Sequence, residues 1–502
     1  MASKLARNSF FGAVSGFCTI ATSFVAGIIV ARVLGVEGSG VVAYALWLGS
    51  IGLIFADAGF SHCIARYGPA LTGAGKAGDF QSLVALLARM LILMVCFTIL
   101  LVIIAASVPS ISAGVWSSPE SGSSASPRPP TSILWVLVGA GAAVSALSAY
   151  YYSYLRGLQQ FTLWAAIVGG SSILQLMAVL FGSWKYGVAG ALVGYLFGSL
   201  PAALASFVLL RPAPSMPPDL FRTAARYAAY AWGSTIVAAF VWARIEVFVL
   251  EKTWGSAAVG IFMAALAMSN LASQGPVQLS AGLLPHFSEQ AGRNDTAGLL
   301  ASFQTAMRLI AFLVFPCCLG MAAIMPALLP LLYGAVFAEA VPAAIIMVFG
   351  AALTAPGVAT ANLLYAKERT DIVFIWGLFG AVLSVAGSLL LVPLWGPIGA
   401  AWARTSIQVL LCFSGFWFIG RRLHYPIPYA SLTRLFLAAA FCAVAATIAS
   451  FLIDGTASIL IAVPVGMIAY ALAIWMLQPF PKSDLDLLRK FAERLGLSPS
   501  NS

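Results

Sequence analysis

Apolar runs of about 20 residues recur along this 502-residue chain, separated by short segments that hold most of its charge. A helix of that length crosses a hydrocarbon layer of about 30 Å, and only helices or closed barrels satisfy their backbone hydrogen bonds there. We therefore predict an all-α polytopic membrane protein with fourteen transmembrane helices. The predicted spans lie over 10–32, 40–61, 83–107, 131–154, 161–183, 188–210, 227–250, 258–282, 306–331, 341–365, 372–394, 397–419, 432–453 and 458–478.

Two short glycine patterns occur twice along the chain, in the same order. The first copy and its repeat are separated by 220 residues in one pattern and by 209 in the other. This order predicts two lobes of six helices each. Because six is even, the lobes enter the membrane in the same orientation and are related by a pseudo-twofold axis along the membrane normal. Chance recurrence of glycine in turns is the alternative. The matched pairs are Gly35 with Gly255, Gly40 with Gly260, and Gly187 with Gly396.

The predicted boundaries follow from this repeat. We expect an N-lobe over 1–215, a C-lobe over 216–425, two further transmembrane helices over 426–480 and a cytoplasmic tail over 481–502. Twenty of the 26 Lys and Arg residues fall on one side of the predicted membrane. Such an asymmetry places both termini in the cytoplasm.

Composition excludes several classes of protein. The chain is 61% hydrophobic and 8% charged, whereas ordinary soluble domains are about 25% charged. Its net charge of +10 is dispersed over the connecting segments, which argues against a nucleic-acid partner. The seven cysteines lie in or beside apolar runs without metal-ligand spacing, so we predict no metal and no cofactor.

Two charged residues stand inside the apolar run that opens the second half. A charge at bilayer depth costs about 2.5 to 3.5 kcal/mol, so Arg244 and Glu246 are functional candidates. Two residues along a helix correspond to about 200°, and the two side chains are therefore expected to face opposite sides. Glu246 shares its face with small and polar residues and is a candidate for ion coupling or gating. Arg244 is a candidate cavity residue, with the membrane interface as its alternative location.

Arg404 is our candidate ligand for a phosphate group. It shares a helical face with Ala400, Ala401, Gln408 and Gly415, and these small and polar neighbours indicate a cavity wall to which Gln408 also contributes. A guanidinium group binds phosphate through a planar fork of donors and stays charged. The alternative is a structural arginine paired with a carboxylate from another span.

Two further polar features lie within or beside the predicted spans. Asn270, Gln274 and Gln278 recur every four residues and form a stripe suited to sugar hydroxyls or a water-filled cavity, with interhelical hydrogen bonding as the alternative. Asp57, at the inner end of span two, is a candidate gate or proton site. An ion pair with Arg66 or with a loop lysine is the simpler interpretation of Asp57.

The connecting segments offer little chemistry of their own. Residues 109–132 are rich in Ser and Pro and predict a flexible outer loop. The acids of the outer segments, Glu251 among them, are scattered, without the paired carboxylates or the large outer domain that a membrane glycosyltransferase or polymerase would need. We therefore predict no catalytic residues and no enzyme activity.

Five segments of the chain resemble a known family. ARVLGVEGSGVVAYA, FADAGF, LLPHFSE, LLYAKERT and LLVPLWGPIGAAWA occur in this order, and the chain is similar to the polysaccharide exporters of the MOP flippase superfamily, the relatives of O-antigen flippases. The resemblance extends from about residue 8 to residue 420. It implies a flippase of the bacterial inner membrane that moves undecaprenyl-diphosphate-linked oligosaccharide from the inner to the outer leaflet.

The resemblance also implies the partners. These are the lipid-linked oligosaccharide and membrane lipids, with polysaccharide assembly proteins as further candidates. A proton or sodium ion carried by a carboxylate is the candidate coupling ion, and the membrane potential acting alone is the alternative. A multidrug exporter of the same superfamily and a lipid II flippase are the alternatives, since both share the expected architecture. A carrier for such a substrate needs cations for the diphosphate and hydrogen-bonding groups for the sugars.

Overall fold

The computed structural model is helical over almost all of the chain that it describes, and it shows no strand there. It describes residues 2–116, 129–210, 217–242, 245–278, 283–452, 457–481 and 484. Sixteen α-helices and two short 3-10 helices, Phe207–Leu210 and Ala335–Ala340, lie in these ranges. The α-helices are α1 Ala2–Asp57, α2 Phe60–Gly73, α3 Ala77–Ser107, α4 Pro109–Trp116, α5 Thr131–Gly157, α6 Phe161–Ser206, α7 Pro218–Trp242, α8 Ile245–Thr253, α9 Gly255–Gln278, α10 Leu283–Gly292, α11 Thr296–Tyr333, α12 Val341–Thr354, α13 Gly357–Ala366, α14 Thr370–Arg422, α15 Tyr429–Phe451 and α16 Ala457–Leu477.

Three of these helices each consist of two helical segments joined at a glycine. Gly35 in α1, Gly187 in α6 and Gly396 in α14 have φ angles of 69°, 62° and 55°. Gly255, which precedes the main run of α9, has a φ angle of 81°. Only glycine adopts positive φ without a steric cost from Cβ. The repeated glycines Gly35 and Gly255, and likewise Gly187 and Gly396, therefore share one backbone requirement.

The interruption in α6 produces a helical hairpin. A Cβ built on Gly190 would overlap the carbonyl oxygen of Gly182, and one built on Gly194 would lie 2.6 Å from the backbone of Val179. Because the residue number falls on one segment as it rises on the other, the two segments run antiparallel. Close backbone approach through small residues is the usual way in which membrane helices associate.

Ten helices of the described chain are long and apolar enough to cross a membrane. Three of them, α1, α6 and α14, contain two of the predicted spans each. The predicted span over 227–250 is divided between α7 and α8. The prediction of an all-α polytopic membrane protein is thus confirmed, while the total of fourteen spans and the lobe boundaries remain predictions.

The first of two compact units comprises Met1–Ala264 and Ala381–Ala400. One buried cluster of this unit joins α1, α2, α3 and α5, where Phe60, Ile64 and Leu83 are buried. Tyr150 is fully buried in this cluster and donates its hydroxyl to the carbonyl oxygen of Val84 at 2.6 Å. This hydrogen bond satisfies the buried hydroxyl, while the aromatic ring packs among apolar side chains.

The second unit comprises Ala265–Gly380 and Ala401–Ser502. In this unit α11, α15 and α16 pack through small side chains, with Ala446 and Ala462 buried beside Ile324. Tyr470 of α16 donates to the carbonyl oxygen of Phe312 at 2.8 Å. The last two predicted transmembrane helices therefore pack on α11.

One loop prediction is partly wrong. Residues 109–116, which the Ser and Pro content assigned to a flexible loop, form α4. Its last residue, Trp116, is buried and packs edge-on against Trp135 at 5.9 Å between ring centroids. Burial of this side chain stabilises a helix that local propensity alone did not indicate.

Candidate functional site

The two copies of the first repeated turn pack directly against each other within the first unit. A Cβ built on Gly40 would overlap the carbonyl oxygen of Ser256, and one built on Gly260 would overlap the carbonyl oxygen of Val36. Ser256 and Val36 are themselves related by the 220-residue offset of the repeat. Such an exchange of equivalent contacts is what a local two-fold axis produces. The contact requires residues without a Cβ at positions 40 and 260.

Glu251 lies beside this contact, although sequence reasoning treated it only as a scattered outer acid. Its side chain is 1% exposed. The Ser256 hydroxyl lies 2.8 and 2.9 Å from the two carboxylate oxygens and donates to them. The sequence feature that could have indicated this contact is an acid and a serine on either side of the repeated Gly255. The hydrogen bonds tie α8 to the first turn of α9 across that glycine.

Helix α4 is held next to the same turns. The carbonyl oxygen of Val115 accepts a hydrogen bond from the Tyr44 hydroxyl at 3.1 Å and from Lys252 Nζ at 2.7 Å. Carbonyl groups at a helix C-terminus carry partial negative charge, which suits an ammonium group. Tyr44 is fully buried and packs edge-on against Trp116. Lys252 therefore binds a backbone carbonyl at the end of α4.

The predicted phosphate ligand, Arg404, is half-buried in the second unit. It lies on α14, with Gln408 half-buried one turn further along. The adjacent Thr405 is buried and packs on Gly350 of α12, where an added Cβ would meet the threonine side chain. Arg404 and Gln408 thus share the partly covered side of α14 that adjoins this contact.

The predicted polar stripe of α9 lies in the same unit. Asn270 and Gln274 are half-buried, and the side chain of Gln278 lies outside the described part of the structure. Ser269, next to Asn270, donates its hydroxyl to the carbonyl oxygen of Met347 at 3.1 Å. Helix α12 is therefore a common neighbour of α9 and α14, through Ser269 on the first and Thr405 on the second.

Glu246 is a buried residue of α8, with 1% of its surface exposed. Arg244, which is expected to face the opposite side of the helix from Glu246, lies outside the described residues. The expectation that the two side chains face opposite sides therefore stays a prediction, as does the role of Arg244 in a cavity.

Asp57 has a local partner at the junction of α1 and α2. One carboxylate oxygen accepts hydrogen bonds from the Ser61 amide, at 3.3 Å, and from the Ser61 hydroxyl. Gly59, between these helices, has a φ angle of 78°. Within the described chain no ion pair joins Asp57 to Arg66. The carboxylate thus caps the start of α2, and a gating role stays a prediction.

A cavity of about 220 Å³ lies among α1, α5 and α6 in the first unit. Its polar lining consists of hydroxyl and amide groups without a carboxylate. Across the described residues, no three His, Cys, Asp or Glu side chains come close enough together to hold a metal ion. The polar lining residues are Ser50, Ser145, Gln175, Tyr195 and Ser199.

An ion pair that sequence reasoning missed joins α11 to the chain beyond α16. Arg308 Nε lies 2.6 Å from an oxygen of Asp484, and the two side chains are 8% and 2% exposed. The other oxygen of Asp484 accepts the Thr305 hydroxyl at 2.9 Å. The remainder of the predicted cytoplasmic tail, from residue 485 onward, lies outside the described residues.

Comparison with known proteins decides the family. The model of the family described as "Polysaccharide biosynthesis protein" matches residues 29–342, which is more than half of the chain. The chain belongs to this family. The match contains both copies of the Gly35 turn and the reciprocal contact between them. No curated protein matches the sequence of this family member.

Solved structures show the same fold at low sequence identity. The lipid II flippase MurJ in an inward closed conformation is 15% identical with a TM-score of 0.72, over 92% of this chain and 97% of that one. An inward-facing multidrug resistance MATE transporter of the MOP superfamily is 15% identical with a TM-score of 0.66, over 83% and 96%. A MOP superfamily transporter from Pyrococcus furiosus is 16% identical with a TM-score of 0.54, over 86% and 96%. The family member therefore has the fold of the MOP superfamily, as its motifs predicted.

Proposed function

We propose that the protein is a flippase that moves undecaprenyl-diphosphate-linked oligosaccharide from the inner to the outer leaflet of a bacterial inner membrane by alternating access, with both termini in the cytoplasm. Membership of the polysaccharide biosynthesis family supports the sugar class of the substrate. Solved transporters and a flippase with the same fold support translocation over an enzymatic role.

The reciprocal packing of the two glycine turns is the observation that carries the mechanism. Gly40 and Gly260 let two backbones touch directly. Such a contact can separate and re-form without moving a packed core, which is what a gate requires. The hydrogen bonds of Glu251 and Lys252 beside it favour the closed state at this end of the molecule.

The substrate-binding part of the proposal uses the polar groups of the second unit. Arg404 supplies the cation for the diphosphate, with Gln408 beside it. Asn270, Gln274 and Gln278 supply donors and acceptors for sugar hydroxyls. Glu246 and Asp57 are the carboxylates available for coupling to a proton or sodium ion, and Arg244 is a further cavity candidate.

Deletion of the gene tests the proposal directly. A null strain should lose a surface polysaccharide and accumulate lipid-linked repeat units that face the cytoplasm. A null strain that keeps its polysaccharide and loses drug tolerance would instead establish the multidrug alternative. One that accumulates lipid II on the inner leaflet would establish the lipid II alternative.

Energy coupling is measured separately with the purified chain in liposomes. Flipping of a fluorescent polyprenyl-diphosphate saccharide is followed with and without a pH or sodium gradient and a membrane potential. We expect a gradient to accelerate flipping in the wild type. A rate indifferent to every gradient and to the potential would remove the coupling part of the proposal.

A further inference from the structure

Helix α7 exposes a polar stripe that neither the sequence motifs nor the proposed cavity use. Arg222, Arg226, Tyr230 and Ser234 follow one another at intervals of four residues and are all exposed. Tyr230 is 76% exposed. At 1.5 Å per residue the stripe is about 18 Å long, which is more than half of a hydrocarbon core of about 30 Å.

The opposite face of α7 is the one that packs on the rest of the first unit. The carbonyl oxygen of Ala224 accepts a hydrogen bond from the Cys63 thiol at 3.7 Å. Tyr227 packs edge-on against Tyr67 at 5.7 Å, and Trp232 donates to the carbonyl oxygen of Ile54 at 2.9 Å. These contacts fix the rotation of α7, so the direction of the polar stripe is set by packing.

Exposure to lipid does not account for this composition. The exposed face of α3 consists of large apolar side chains, with Leu93 69% and Phe97 51% exposed. Along α7 the positions at intervals of four from Arg222 carry guanidinium, phenol and hydroxyl groups instead, beside Phe221, which is 42% exposed. Arginine in contact with lipid at depth is costly, so a stripe of this composition is expected to face water. The charge pattern of the loops places its Arg222 end on the inner side of the membrane.

The two arginines are not neutralised within the described chain. Two other exposed arginines do form ion pairs, Arg293 with Glu289 and Arg369 with Asp371. No ion pair joins Arg222 or Arg226 to a carboxylate among the described residues. The nearest acid along α7, Asp219, lies three residues before Arg222 and forms no ion pair with it. Two exposed guanidinium groups one helical turn apart and without an ion pair form an anion-binding surface.

We propose that Arg222 and Arg226 form the entry site for the diphosphate of the lipid carrier, before the substrate reaches Arg404. This inference rests on the proposed function, and it deepens it by naming the first contact of the substrate with the protein. A diphosphate offers several acceptor oxygens and two or more negative charges, which two forked donors one turn apart can hold together. Tyr230 and Ser234 continue the polar path along the same helix.

Binding of farnesyl diphosphate to the full-length chain in detergent tests the site, with uncharged farnesol as the reference ligand. We expect Arg222→Gln and Arg226→Gln each to weaken diphosphate binding about tenfold, as loss of a charge-assisted contact should. Arg226→Lys should retain part of the affinity because it keeps the charge but not the fork. The matched control is Arg89→Gln, since Arg89 is also an exposed arginine within a helix but lies on α3.

The outcomes separate this site from the proposed function. If the wild type binds farnesyl diphosphate and both glutamine variants bind it equally well, the entry site is refuted while the flippase proposal stands. An equal loss in Arg89→Gln, or full competition by phosphatidylglycerol nanodiscs, would show a general affinity for anionic surfaces and would also refute it. No preference for the diphosphate over farnesol in the wild type refutes the site as well, and the polysaccharide of the null strain then decides the function.

Discussion

Removal of the Asp484 carboxylate should destabilise the second unit far more than its position near the end of the chain suggests. Asp484 accepts from Arg308 at 2.6 Å and from Thr305 at 2.9 Å, and it is 2% exposed. Asp484→Ala leaves the Arg308 guanidinium, 8% exposed, without its carboxylate. Breaking a buried ion pair by removing one partner costs about 3 to 5 kcal/mol. We expect about 3 kcal/mol, the lower end, because a long arginine side chain can reorient toward water.

The measurement is the free energy of unfolding of the full chain in detergent, followed by tryptophan fluorescence during a denaturant titration. A change of about 3 kcal/mol corresponds to more than a hundredfold in the unfolding equilibrium. The matched control is Asp371→Ala, because Arg369 and Asp371 form an ion pair of 3.1 Å whose side chains are 41% and 57% exposed. Solvent screens that pair, and its loss should have little effect.

A second variant shows whether the effect comes from an uncompensated buried charge. Arg308→Met in the Asp484→Ala background removes the stranded cation and fills similar volume, so the double variant should be more stable than Asp484→Ala alone. The reasoning is refuted if Asp484→Ala and Asp371→Ala cost the same. It is refuted equally if the double variant is less stable than the single one.

The remaining predictions concern the gate and the candidate charges. Gly40→Ala places a Cβ against the Ser256 carbonyl and should hold the turns apart, raising maleimide labelling of a cysteine introduced at Ser256. Gly27→Ala has no atom within 4 Å of its new Cβ and should leave labelling unchanged; equal labelling in both variants would contradict the gate. Glu246→Gln and Arg404→Ala should each impair polysaccharide export in a complementation assay, whereas Arg244→Lys should be milder. Similar loss in all three would overturn the assignment of separate roles.

The repeated turns could be predicted from the sequence because their physical requirement is local. A positive φ angle selects glycine at one position, so Gly35, Gly187, Gly255 and Gly396 leave a pattern that spacing alone reveals. The contact between the two copies of the first turn could not be derived in the same way. It depends on which backbone lies opposite Gly40, and this is settled by the packing of whole helices.

The burial of two acids, Asp484 and Glu251, could not be predicted from the sequence. Asp484 binds a side chain 176 residues earlier in the sequence, and Glu251 is enclosed at a junction between helices. Hydropathy assigns both to connecting segments, because a lone carboxylate lowers the local mean wherever its side chain goes. Only the position of a distant donor distinguishes a solvated acid from a structural one. Trp116 lies in a segment whose Ser and Pro content predicts a loop, and its burial depends on Trp135, a residue of another helix.

The residues of α8 that surround Glu246 show which face of the helix it occupies. Val249 and Leu250, one turn away on the same face, are 5% and 0% exposed, whereas Phe248 on the opposite side is 37% exposed. Glu246 thus lies on the packed face of α8 and is itself 1% exposed. A carboxylate in that position is poorly placed to touch a bulky saccharide directly. Its environment suits a group that exchanges an ion and shifts the packing of α8, so Glu246→Gln should reduce the dependence of flipping on a gradient more than it reduces substrate binding.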